Sequence, residues 1–137
     1  MKFLQLKFIP QSSDFALLLL RLWLGLTLLI NHGLPKLMHF GAMSEKFMDP
    51  FHIGTVPSLS LAVLAEVVAP ILLVLGLLTR FSALVIVIEL GVAFVFVHGL
   101  KLSGPGSGEL AFVYVAGFAT LLFAGGGKFA VDGKSGG

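Results

Sequence analysis

The sequence predicts an all-α fold: a four-helix transmembrane bundle with both termini on the same, cytoplasmic, side. Three observations predict it. Hydrophobic residues make up 57% of the 137-residue chain and charged residues only 12%, where soluble domains carry roughly 25%. Mean hydropathy is +1.03, which places the chain among integral membrane proteins of a single domain. The apolar residues gather into four stretches, each close to the length that crosses a hydrocarbon core.

Taken in order, residues 1–14 form a cytoplasmic or interfacial N-terminal segment, apolar but carrying Lys2 and Lys7. They do not open a signal peptide. The apolar run that follows contains Arg21 and has no small-x-small cleavage site, so it reads as a retained first span. That span covers 15–31, with Ser12, Ser13 and Asp14 as candidate N-caps. At 1.5 Å per residue it is about 26 Å long, just enough to cross. Gly33-Leu34-Pro35-Lys36 is expected to end it. Residues 36–57 are the least apolar part and hold His39, Glu45, Lys46, Asp49, Pro50 and His52. Met43, Phe47 and Phe51 recur there at helical spacing, which predicts a loop with a short surface helix.

The second span covers 58–78 and carries Glu66 and Pro70. The proline is expected to kink it, because its ring blocks one helix hydrogen bond. Thr79-Arg80 leaves almost no loop, so spans two and three form a tight hairpin. The third span covers 81–97 and carries Glu89. A flexible connection with Gly104-Pro105-Gly106 leads to the fourth, 109–124. Gly125-Gly126-Gly127 ends that span as a helix terminator. No Lys-Ser/Thr follows it and no strand precedes it, so it is no phosphate loop. Residues 125–137 form a cytoplasmic polar tail.

With four spans, Lys2, Lys7, Arg80, Lys128 and Lys134 fall on one side and Lys36, Lys46 and Lys101 on the other. The excess of positive charge assigns the termini to the cytoplasm. A net charge of +2 without a Lys/Arg-rich run excludes nucleic acid as a partner. The absence of cysteine excludes a disulfide framework, a Cys-x-x-Cys pair, an iron–sulfur cluster and covalent c-type haem. Redox chemistry here would need a bound cofactor or a partner protein.

Three spans carry an ionisable residue near their middle: Arg21, Glu66 and Glu89. Each costs at least about 2.5–3.5 kcal/mol at the bilayer centre. Depth estimates from the helical rise place them within about two turns of one another, so they are expected to meet as a catalytic site. One positive and two negative groups cannot all be ionised in low dielectric, and one carboxyl is expected to carry a proton. Such a group can exchange protons with a bound redox partner such as a quinone. The same residues also fit a structural ion pair that fixes helix register, and the sequence leaves both readings open. Small and polar residues form a stripe on each span considered: Arg21, Gly25, Leu28 and His32; Ala62, Glu66, Ala69 and Leu73 with Pro70; Glu109, Val113, Ala116 and Thr120. These are expected to face inward.

A second cluster lies at the outer ends: Asn31, His32, Lys36, His98 and Glu109. It is a candidate ligand-binding mouth for a polar head group, and it equally fits ordinary interfacial polarity. His32 and His98 are conceivable axial ligands of a b-type haem. The four histidines lack metal-site spacing, so neither haem nor a metal is expected.

The order of short motifs resembles the DoxX family. Leu20-Arg21-Leu22 with Gly25, His32-Gly33 and Lys36-Leu37 resembles its first helix. Glu66 with Leu75-Gly76-Leu77-Leu78-Thr79-Arg80 resembles its second helix and hairpin. His98 with Gly108-Glu109-Leu110-Ala111, and then Gly125-Gly126-Gly127-Lys128-Phe129 with Asp132, resembles its later connections. The similarity runs from about Phe15 to Asp132, and an apolar residue is more usual at the position of Glu89. Members are small four-helix membrane proteins of bacteria and archaea. The name comes from a thiosulfate:quinone oxidoreductase. The resemblance therefore implies the bacterial cytoplasmic membrane, a quinone cofactor and a soluble or membrane redox partner, with Arg21 and Glu66 at the site. Two other roles stay open at this point: a non-catalytic anchor for a soluble enzyme, and a small-solute carrier acting as a homo-oligomer.

Overall fold

Four apolar helices dominate the computed structural model, which describes residues 1–135. They are α1 (Ser13–Met38), α2 (Thr55–Leu75), α3 (Thr79–Val97) and α4 (Glu109–Ala124). The first three are long and apolar enough to cross a membrane, and the fourth is a shorter apolar helix. No strand occurs among the described residues. Ser12 starts α1, its Oγ accepting the Phe15 N–H at 3.1 Å.

One expected break is absorbed, and the helix expected to kink carries the same local widening before its proline. α1 does not stop at Gly33 but continues to Met38. A π-helical turn, Leu29–Gly33, lies just before Pro35. In α2 another, Leu64–Val68, lies just before Pro70. A π turn widens the hydrogen-bond ring to i→i+5. That relieves the clash a proline ring makes with the preceding turn, and the helix runs on. α3 ends in a third such turn, Ala93–Val97.

The seams expected on α1 and α2 face inward. Arg21, Gly25 and Leu28 are buried, as are Ala62, Glu66, Ala69, Pro70 and Leu73. The expected seam on α4 is corrected. Glu109, Val113, Ala116 and Thr120 are exposed, and Ala111, Tyr114, Phe118 and Leu121 form the inner face. The large rings bury more area than the small residues. The Thr120 hydroxyl is satisfied within its own helix, donating to the Ala116 carbonyl at 2.9 Å, so it needs no inward partner. The core centres on Leu28, Leu73, Ile86, Phe118 and Leu121. Trp23 is 73% exposed and belongs to the lipid-facing surface.

α3 packs along α4, and the second half of α2 packs on α1 and α3. The first half of α2 makes no comparable contact with α3. The α2–α3 hairpin therefore splays away from its turn. At the turn end the chain is tied together. Gly76 ends α2 with φ +78°, and a Cβ there would meet Ala130. Ala130 is fully buried. The Asp132 carboxylate accepts the Leu78 and Thr79 N–H groups at 3.0 and 2.7 Å. Asp14 accepts the Lys128 N–H at 2.9 Å. Much of the segment expected as a polar tail is thus docked on the bundle, and its last two residues lie outside the described ones. Residues 1–12 are exposed, with Phe3 and Phe8 stacked at 5.6 Å.

Candidate functional site

The splayed hairpin leaves a cavity of about 720 Å³ with mostly apolar walls. His32 and Lys36 of α1, Glu66 of α2, Glu89 and His98 at the end of α3, and Tyr114 of α4 supply its main polar groups. All three π turns hold or border these groups: His32 sits in the first and Glu66 in the second. The third ends at Val97, next to His98. The first two turns meet directly. A Cβ on Gly33 would collide with the backbone carbonyl of Glu66, so the glycine lets α1 approach α2 at the depth of the carboxylate.

Glu66 is 4% exposed, and Lys36 Nζ lies 2.6 Å from its Oε2. Glu89 lines the same cavity, and its Oε2 is buried without a hydrogen-bond partner among the described residues. The His32 ring sits edge-on to Tyr114, with centroids 6.0 Å apart. His98 Nδ1 pairs with the Gly106 carbonyl at 3.1 Å.

The expected Arg21–Glu66–Glu89 cluster is not assembled as a triad. Arg21 is 1% exposed, but its Nη1 donates to the Leu73 and Val74 carbonyls at 3.1 and 2.8 Å. It binds the last turn of α2, where the Leu73 carbonyl also accepts the Gly76 N–H at 3.0 Å, and does not line the cavity. Lys36, expected at the mouth, takes the place beside Glu66. Of the other mouth residues, His32 and His98 line the cavity, while Glu109 is exposed and does not. Tyr114 was not singled out in the sequence. As the one tyrosine of the chain, inside an apolar span, it was the signal available.

A loop covers the end of the cavity away from the α2–α3 turn. Asp49 ties it, accepting the Ile53 and Gly54 N–H groups at 3.0 and 2.8 Å and the Ser58 hydroxyl at 2.9 Å. Burial works against the charge of Asp49, but these hydrogen bonds together outweigh it and hold the carboxyl below its usual range. Phe51 packs on Phe96 of α3 at 5.5 Å and fastens the loop across the splay. Leu61, Leu64, Val85, Ile88 and Val92 line the cavity between α2 and α3, on the side that faces the bilayer.

Comparison with known proteins follows the same helices. The family model DoxX matches residues 16–99, which take in most of α1 and all of α2 and α3. A protein of Haemophilus influenzae is 37% identical over 121 residues, covering 77% of this chain and 80% of its own length. A second protein of that organism is 32% identical over 130 residues, covering 88% of this chain and 83% of its own. Both carry the name "Uncharacterized protein". No solved structure matches the chain.

Proposed function

The chain belongs to the DoxX family, and from that premise we propose that it is a membrane subunit of a quinone-linked oxidoreductase system in the bacterial cytoplasmic membrane. The observation that carries the reading is the cavity: about 720 Å³, apolar, flanked by the lipid-facing sides of α2 and α3, with a carboxyl pair in its wall. Ligand sites of this kind combine apolar walls with a few placed polar groups. A quinone, when bound, supplies a carrier of two electrons and two protons. The residues fit such a group. Leu61, Leu64, Ile88 and Val92 offer an apolar path for an isoprenoid tail. Lys36 and a protonated carboxyl donate hydrogen bonds to ring oxygens, and the Glu66–Glu89 pair holds and returns a proton. Arg21 acts at a distance from this chemistry, holding the end of α2. Electrons come from a redox partner outside this chain.

The test measures lipid extracts and turnover on the same purified protein. Quinone should co-purify from native membranes at a substantial fraction of one per chain. Glu66→Gln should keep occupancy within a few-fold and suppress quinone reduction by the assembled system. Normal turnover per folded molecule in that variant would remove Glu66 from the chemistry and move the reading to a membrane anchor for a soluble enzyme.

A further inference from the structure

The cavity holds one more carboxyl than it has cations to balance. Lys36 is committed to Glu66. Glu89 Oε2 is buried and accepts no hydrogen bond from the described residues. The titratable groups around it are His32 and Lys36 on α1, Glu66 on α2, Tyr114 on α4 and His98 at the end of its own helix. His32 packs edge-on against Tyr114, and His98 is engaged with Gly106. Neither ring is hydrogen-bonded to that oxygen.

A lone carboxylate in an apolar cavity must be neutralised by a proton or by a cation. Lys36 on Glu66 already displays the second solution: an ammonium on a flexible aliphatic stem, seated against a buried carboxylate. Glu89 has the equivalent place open. The approach to it from the bilayer, past Leu64, Val85, Ile88 and Val92, is apolar. It suits a cation whose body is hydrophobic and excludes a hydrated metal ion, which would have to shed its water among alkyl groups. An anionic head would face two carboxyl groups and be repelled.

We propose that Glu89 is a proton-for-cation exchange site, taking the positively charged head of a lipophilic cation that enters from the bilayer between α2 and α3. Charge is conserved in the exchange: one proton leaves the Glu89 carboxyl for water as one monovalent cation pairs with the carboxylate. This site shares the cavity with the proposed quinone but does not rest on that reading.

The experiment titrates tetraphenylphosphonium into the full chain in phosphatidylcholine nanodiscs, with empty nanodiscs as the blank. Calorimetry is run across a pH series in two buffers of different ionisation heat. Saturable binding is expected, with close to one proton released per cation at acidic pH. Affinity should rise by up to about tenfold per pH unit and level off at alkaline pH. Glu89→Gln, checked for an unchanged melting temperature and elution position, should bind at least about tenfold more weakly and release no proton. Glu89→Asp should retain both properties in part. Absence of saturable binding by the wild type would overturn the proposal. So would binding without proton release, or full binding by Glu89→Gln. Because the wild-type proton count needs no mutant, a folding defect in the variants leaves the test intact. Quinone content, measured on the same preparations, reports the other reading independently.

Discussion

Arg21 and Lys36 show how side-chain direction decides partners in a bundle. Side chains on a helix lean toward its N-terminus. α1 enters from the turn end of the hairpin, so Arg21 leans toward that end and reaches the carbonyls of Leu73 and Val74. Lys36 leans inward from the far end and reaches Glu66. Glu66 lies on α2, which runs the opposite way, and leans toward Lys36. Depth arithmetic from the sequence put the three charged residues at similar levels, but ignored this lean of two oppositely directed helices. The buried carboxyl pair was legible in the sequence, and the identity of its cation was not. A double-mutant cycle separates the two pairings. Lys36→Met should cost about 3 kcal/mol by stranding a buried carboxylate, and adding Glu66→Gln should recover part of it. Arg21→Leu should cost about 1–3 kcal/mol by removing the donor to the part-buried Val74 carbonyl and one of the two donors to that of Leu73, and its effect should add to that of Glu66→Gln. Thermal unfolding of the purified single and double variants measures both; coupling between Arg21 and Glu66 would restore the triad that the sequence suggested.

At the scale of helices, the spans and their inner faces on α1 and α2 were readable because small and charged residues recur there at helical spacing. On α4 the same rule chose the wrong face, since Glu109, Val113, Ala116 and Thr120 face outward and the rings of Tyr114 and Phe118 fill the centre. The π turns were not readable at all. Gly33-Leu34-Pro35 spells a helix end by local preference, and the tertiary contact with Glu66 turns it into a widened turn instead. That contact makes Gly33 the position where sequence, fold and site are most tightly linked. Gly33→Ala should cost about 3 kcal/mol or more, at or above the upper range for overpacking, because the clash is with backbone rather than a movable side chain. It should also separate Lys36 from Glu66 by pushing α1 off α2. Gly91→Ala is the matched control within α3. A Cβ there meets nothing, so stability should stay the same or gain up to about 1 kcal/mol from helix propensity. Equal losses in both variants, measured by thermostability in detergent, would remove the special role of the α1–α2 approach.

Across the whole molecule, the two ends of the bundle are closed by different devices built on the same chemistry. Asp132 holds the C-terminal segment against the hairpin turn, and Asp49 ties the loop over the cavity. The positive-inside bias predicts that the Asp132 end lies in the cytoplasm. Ser44→Cys and Ser135→Cys, each in the cysteine-free chain, test that assignment. An impermeant maleimide applied to intact cells should label position 44 and spare position 135, and the reverse pattern would invert the topology. Both aspartates also set a pH dependence. The Thr79 N–H is the main cause that holds the Asp132 carboxyl below its usual range, with smaller help from the Thr79 side chain, Leu78 and the Arg21 charge against the cost of burial. The Asp49 carboxyl is held low as well. A carboxyl depressed by folding contributes stability that is fully present above its unfolded pKa of about 3.9. That contribution is lost as pH falls through the lower folded value, because the folded state resists the proton the unfolded state accepts. The wild type should therefore hold its melting temperature from neutral pH down to about pH 5 as far as these two groups are concerned, and lose it progressively below about pH 4. Asp132→Asn should cost roughly 1 kcal/mol at neutral pH, the usual worth of a capping side chain, and should flatten part of the acid-side decline. It should also raise protease cleavage within 125–133 while leaving the outer loop protected. Asp49→Asn should do the converse, loosening the loop without freeing the C-terminal segment. If either variant exposed both ends together, the two closures would be one cooperative unit rather than separate clasps.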